Sequence, residues 1–172
     1  MPATFVVEDG SGKVDANSYA SVAAADQYHL DFGQTTWDAL TDAVKEMALR
    51  KATRWMDIEY TGRWIGERSN ETQAQAWPRT NAEDYDGYTY AYNQVPTKLV
   101  QATSELAFYA LTEDLAQNLS SGTGELMATS TKVGPIETEK RYAAPARQQK
   151  AYTVAETLIR PLVNDSHQAQ LG

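Results

Sequence analysis

The chain contains no cysteine. Disulfide staples, thiol nucleophiles and cysteine-ligated zinc or iron–sulfur sites are therefore excluded. Histidine is scarce too: His29 and His167 are the only two. They lie far apart, without carboxylates at ligand spacing, so no metal site is expected. Positive charge is in deficit, with 15 Lys and Arg against 23 Asp and Glu and a formal net charge of −8. Such a surface repels phosphate backbones over most of its area, which disfavours generic nucleic-acid binding but leaves room for a local basic patch. No apolar run approaches the roughly 18 residues a membrane-crossing helix needs, so no membrane partner is expected. Met1 to Gly12 has neither the basic start nor the apolar stretch of a secretory leader.

What is present is length and aromatics. A chain of 172 residues is enough for one domain that buries roughly two-thirds of its unfolded surface. Ten Tyr and four Trp supply amphipathic rings that suit cores and interfaces alike.

Periodicity divides the chain into helices and long connections. Thr4 to Val7 is β-prone and is closed by Glu8-Asp9-Gly10-Ser11-Gly12, a turn within a flexible lead-in over 1–15. A first helix is expected over 22–31, ending near Gly33, with Ala24, Ala25, Tyr28 and Phe32 on one face. A second is expected over about 42–59, capped by Thr41. Its apolar positions Val44, Met47, Ala48, Ala52, Trp55 and Met56 recur at helical spacing, and its outer face is basic through Lys45, Arg50, Lys51 and Arg54. Gln73 to Ala76 reads as one helical turn stopped by Pro78. Residues 81–95 form a polar loop, in which Tyr88, Tyr90 and Tyr92 alternate as in a short hairpin strand. Pro96 suits the first position of a third helix that ends near Leu115. The 127–142 stretch is a β-prone arm broken at Gly134-Pro135. A fourth helix is expected over 147–160, packing Ala151, Val154, Ala155, Leu158 and Ile159. The tail over 164–172 is polar. The expected fold class is mainly α: one domain over 1–172, a small bundle of about four helices with long loops and a β-prone arm.

The chemistry-bearing patterns are weak. Asp84-Tyr85-Asp86-Gly87 resembles a fragment of a calcium loop but lacks the spaced oxygens and terminal Glu. No Gly-Lys-Ser/Thr follows a strand, so no phosphate loop is read. Ser120 and Ser121 have no histidine near them in sequence. No enzyme activity and no cofactor are expected. The richest pattern is Trp55, Trp64 and Trp77 interleaved with Arg54, Arg63, Arg68 and Arg79. It fits base stacking on single-stranded nucleic acid, or a core plus an Arg–carboxylate network at a subunit boundary. Net acidity favours the second. Gln73-Ala74-Gln75-Ala76-Trp77-Pro78-Arg79-Thr80 joins an apolar anchor, a rigid bend and a fixed charge. Trp77, Pro78 and Arg79 are therefore read as a structural clamp between the second and third helices, with Arg79 paired to a carboxylate of its own or a neighbouring chain.

Several segments together resemble a known group. They are Val7-Glu8-Asp9-Gly10, Ala16-Asn17-Ser18-Tyr19, Gln73 to Arg79, Val95-Pro96 opening a helix, Lys132-Val133-Gly134-Pro135-Ile136-Glu137 and Leu158-Ile159-Arg160-Pro161-Leu162. In this order they resemble the head–tail connector (adaptor, or head-completion) family of tailed bacteriophages, some members of which carry a DnaT-like single-stranded-DNA-binding label. The resemblance implies an adaptor subunit of the virion's head–tail interface, assembled in the host cytoplasm. It implies a ring, typically of twelve copies, between the portal protein and tail or nozzle proteins, with genomic DNA passing through the lumen. It also implies that Tyr85, Tyr88, Tyr90 and Tyr92, the arm with Val133, Pro135 and Ile136, and the segment from Arg160 onward contact other subunits. The alternative is a single-stranded-DNA-binding replication accessory.

Overall fold

The computed structural model describes residues 4–115 and 151–164, and the backbone of 128–133 and 136–141. It divides into two units, 1–115 with 152–172, and 116–151. Among the described residues there are five α-helices and two separate two-stranded sheets, the mainly helical architecture expected.

The first unit is built on helices that start and stop where local chemistry dictates. Helix α1 spans Val22–Asp31; the Ser21 side chain accepts the Ala24 N–H and satisfies one orphan donor of the first turn. Gly33, at φ 71°, carries the chain away. A short helix α2, Thr35–Asp38, was not legible in the sequence and buries Trp37. Helix α3 spans Asp42–Glu59. It buries Ala48, Leu49, Ala52, Thr53, Trp55 and Met56 on one stripe. Helix α4 spans Thr97–Tyr109, with Pro96 as its N-cap rather than its first helical residue. Helix α5 spans Thr153–Ile159 and runs into a 3-10 turn, Arg160–Leu162.

Helix α4 lies at the centre, packed on α1, α3 and α5. Its Leu99, Ala102, Leu106 and Ala107 meet Ala48, Leu49, Ala52, Met56, Ala155, Ile159 and Leu162 in one core. Alanines recur at these positions because a small side chain lets helix axes approach closely at native packing density. Buried hydroxyls on α4 are satisfied locally: Thr103 donates to Leu99 O at 2.7 Å and Ser104 to Val100 O at 3.0 Å.

Three expectations about faces are corrected. Phe32 is 68% exposed rather than on the buried face of α1; His29 points inward instead. Its Nε2 donates to Ser104 O at 3.0 Å, since a carbonyl only accepts. Lys45 is 4% exposed rather than on an outer basic face of α3. It meets the Asp26 carboxylate at 2.9 Å, which also accepts the Trp37 indole N–H at 2.8 Å. One half-buried polar junction thus ties α1, α2 and α3 together. On α5, Val154 is exposed, and Ala151 and Tyr152 precede the helix. The expected start at 147 lies outside the described residues.

The lead-in over 1–15 is tied down from Val6 onward. Val6 N–H donates to Asn17 Oδ1 at 3.1 Å, and Val7 bridges Ser18. Glu8 is buried, and its carboxylate accepts the N–H groups of Gly10 (2.9 Å), Gly12 (2.8 Å) and Lys13 (2.8 Å). Gly10 has φ 100°, and a Cβ there would stand 2.0 Å from Asn93 O, so only glycine closes this turn. Of the expected 164–172 tail, only Asn164 is described; its N–H donates to Arg63 O at 2.7 Å.

In the second unit, β3 (Ala128–Val133) and β4 (Ile136–Arg141) form an antiparallel hairpin with Val133 opposite Ile136. This is the expected β-prone arm; Pro135 lies outside the described residues.

Candidate interface around Trp77, Pro78 and Arg79

The Gln-Ala-Gln-Ala-Trp-Pro-Arg segment is a knot of backbone hydrogen bonds, not a helical turn. Strand β1 (Glu67–Arg68) pairs antiparallel with β2 (Arg79–Thr80), setting Arg68 opposite Arg79. The approach to β1 needs Gly66, at φ 66°, where a Cβ would sit 2.3 Å from Thr80 O. The Trp77–Pro78 peptide is cis.

The glutamines and the arginine of the motif have assigned partners, whereas the buried Trp77 indole N–H meets no acceptor among the described residues. The buried Gln73 amide donates to Gln75 O at 2.9 Å and Pro78 O at 3.0 Å, and its oxygen accepts the Asn70 N–H at 2.8 Å. Gln75 donates to Ala16 O at 2.7 Å. Trp77 is completely buried, edge-on to Trp64 at 6.4 Å and Tyr90 at 5.8 Å between ring centres. Pro78 is buried beside it.

Arg79 departs from the first of its two expected partners, a carboxylate of its own chain. Its guanidinium donates to three backbone carbonyls: Nε to Ile65 at 2.6 Å, Nη1 to Ala76 at 3.1 Å and Nη2 to Gly66 at 2.7 Å. It forms no ion pair with a carboxylate among the described residues, unlike Lys13 with Asp9, Lys45 with Asp26 and Arg63 with Glu59. The planar fork of arginine suits this role, because converging carbonyls of a bent backbone have no other donor to meet. Burial is the main influence pulling the Arg79 pKa below its ordinary value. The motif clamps residues 65–66 and 76 to β2, and through Gln75 and Ala76 it reaches the segment before α1 and the end of α3.

Two residues given no role in the sequence reading complete the knot. Tyr19 Oη accepts the N–H of Ala76 at 2.9 Å and of Trp77 at 3.3 Å, and donates to Asp57 Oδ1 at 2.5 Å. Asp57 Oδ2 accepts the Ala76 N–H at 3.3 Å. Burial, ahead of the favourable contacts, pushes the Asp57 carboxyl up to about 6. Burial and then Asp57 push the Tyr19 phenol well above its ordinary value. The 38-residue separation of this pair leaves no local sequence signal. Glu8 was more legible: a Glu followed at the second and fourth positions by glycines has N–H groups free to wrap its carboxylate.

The expected interface tyrosines separate. Tyr90 turns inward against Trp77. Tyr85, Tyr88 and Tyr92 are 72%, 74% and 66% exposed. They sit on or beside a small hairpin closed by a Glu83–Thr89 bridge, in which Asp84 Oδ1 accepts the N–H groups of Asp86 and Tyr88, both at 3.0 Å. The hairpin is a single bridge rather than a strand, and the Asp84 carboxylate is spent on its own backbone. Arg160, exposed after α5, joins Tyr85, Glu83 and Asp84 around a cavity of about 400 Å³. Val133 and Ile136 face each other across the separate hairpin. Among the described residues no group of three or more His, Asp or Glu could hold a metal ion, and no helix is long and apolar enough to cross a membrane.

Compared with known proteins, residues 3–171 match the profile of the family described as "Putative DnaT-like ssDNA binding protein". No curated protein and no solved structure matches the chain.

Proposed function

The chain belongs to this DnaT-like family, and from that premise we propose that it is a structural subunit that grips other proteins: a head–tail adaptor of a tailed-phage virion, carrying no catalytic site and no cofactor. On this reading it forms a ring of about twelve copies beneath the portal, meets tail or nozzle proteins below, and lets the genome pass without sequence-specific contact. The observation that carries it is where the aromatics lie. All four tryptophans are buried, so none is free to stack on a base. The large exposed aromatics of the 81–95 loop are Tyr85, Tyr88 and Tyr92, held on a hydrogen-bonded hairpin beside Glu83, Asp84 and Asp86. Rigid tyrosines in an acidic setting suit a protein partner and repel a phosphate chain. The excess of acid over base supports a channel wall that does not hold DNA.

A second reading, single-stranded-DNA binding in replication, is favoured by the description the family carries. It requires stacking aromatics and a basic track. One experiment separates the two. Purified protein is mixed with its portal and imaged by electron microscopy, and in parallel titrated with short unpaired oligonucleotides at low and high salt. The adaptor reading expects decorated portals and no oligonucleotide capture. Tight, salt-sensitive capture without portal decoration selects the second.

A further inference from the structure

Helix α3 carries an exposed line of side chains opposite in charge to the chain as a whole. Ala43, Met47, Lys51, Arg54 and Ile58 are all exposed and recur at helical spacing, so they share one face along about 22 Å of helix. No carboxylate stands on this line. Met47 and Ile58 are 42% and 60% exposed, and Lys51 and Arg54 have no ion pair among the described residues. A basic and apolar face is thus left open on a chain of net charge −8.

We propose that this face docks on a second copy of the chain, with Arg54 entering the cavity between α1 and α2 of that copy and pairing with its Asp38. The proposal rests on reading the molecule as a subunit that assembles with its own kind.

The receiving surface is complementary in both charge and apolarity. Its cavity, of about 330 Å³, is bounded by Ala23, Asp26, Leu30, Trp37 and Asp38 among others. Leu30 is 73% exposed and Ala23 is exposed beside it, which offers apolar surface to the stem of a long cationic side chain. Asp26 is already matched by Lys45 of its own chain. Asp38, and Asp31 at the end of α1, are exposed and have no ion pair among the described residues. Two unmatched carboxylates with exposed Leu30 therefore answer two unmatched cations with exposed Met47 and Ile58. Opposite potentials of this kind steer encounter and fix register.

One chain cannot make this contact with itself. The Lys45–Asp26 pair fixes which side of α3 faces α1. Arg54 comes nine residues after Lys45, about 180° round the helix at about 100° per residue. The basic line thus looks away from its own α1–α2 cavity. Two unlike, complementary faces that point apart define a head-to-tail contact, which passes from copy to copy.

The absence of cysteine makes an introduced thiol an unambiguous reporter. Full-length Met47→Cys and Gln34→Cys proteins are prepared separately, mixed at high concentration and treated with a short bismaleimide; mass spectrometry separates mixed dimers from homodimers. Glu71→Cys, at another exposed position, gives the background. The expected result is mixed Met47→Cys/Gln34→Cys dimer forming several-fold faster than either homodimer or any Glu71→Cys product. Adding Arg54→Glu to the first protein should reduce that rate several-fold, and adding Asp38→Arg to the second should restore it. Both charges are exposed, so each variant should melt as the parent does. Equal rates for all pairs, indifference to Arg54→Glu, or no rescue by Asp38→Arg would overturn the proposal. Loss of oligonucleotide binding in Arg54→Glu, without any mixed dimer, would overturn it in favour of a nucleic-acid face. The reaction needs no portal: mixed dimers without portal decoration would keep this contact and sink the adaptor reading, and decoration without mixed dimers would do the reverse.

Discussion

The Tyr19 hydroxyl donates to Asp57 Oδ1 at 2.5 Å, fastening the segment before α1 to the last turn of α3. The same hydroxyl accepts the Ala76 and Trp77 N–H groups, so one side chain locks three stretches that are distant in sequence. Networks of this kind are worth more than their separate bonds because each partner is held in place by the next.

That relationship makes stability depend on pH with a definite sign. Burial raises Asp57 from 3.8 to about 6, against the opposing pull of Tyr19, the Ala76 N–H, Arg68 and Arg79. The folded state therefore holds this proton more tightly than the unfolded chain. Its contribution is full below the unfolded value and is lost as pH rises through about 6. The parent should gain roughly 2–3 kcal/mol relative to Asp57→Asn as pH falls from about 7 to about 4. Urea unfolding of both proteins across this range checks it; parallel profiles would contradict it.

Arg79→Ala should destabilise the fold by roughly 2–4 kcal/mol, since it strips charged donors from the carbonyls of Ile65, Gly66 and Ala76. Arg79→Lys should recover little, because an ammonium on a flexible stem does not reproduce the planar fork. A lysine variant with parental denaturation would show that charge alone suffices.

Glu8→Gln should cost roughly 1–3 kcal/mol. An amide has one accepting oxygen where the carboxylate has two, so one of the N–H groups of Gly10, Gly12 or Lys13 would face an NH2. Gly10→Ala should cost at least as much, since the backbone around Asn93 must move. Thermal melts of both variants test whether this loop is a structural anchor.

Replacing Tyr85, Tyr88 and Tyr92 together by alanine should leave stability within about 0.5 kcal/mol per site, because these rings are mostly in solvent. The same variant should fail to join portal-containing particles. Normal joining, scored by electron microscopy, would remove the hairpin from the interface.

How much was legible in the sequence follows from the range of each interaction. Helices α1 and α3 were readable because period, cap and breaker all act within a few residues: Ser21 caps, Gly33 stops, and the stripe from Ala48 to Met56 repeats at helical spacing. The β3–β4 hairpin was readable from β-prone alternation interrupted at Gly134-Pro135. Lys45 was misread because its partner, Asp26, lies on another helix; Phe32 was misread because it stands at the C-cap of α1, exposed, with only Tyr28 of its own helix against its ring.

The sequence by itself determined the helical class, the acidic surface and the importance of Trp77, Pro78 and Arg79, since composition and local pattern are properties of the chain. Tertiary structure alone decided what those residues do. It turned Arg79 onto three carbonyls rather than a carboxylate of its own chain, and brought Tyr19 to Asp57. The physical reason is that a buried polar group takes whichever partner packing brings within about 3 Å, and packing joins residues the linear order keeps apart.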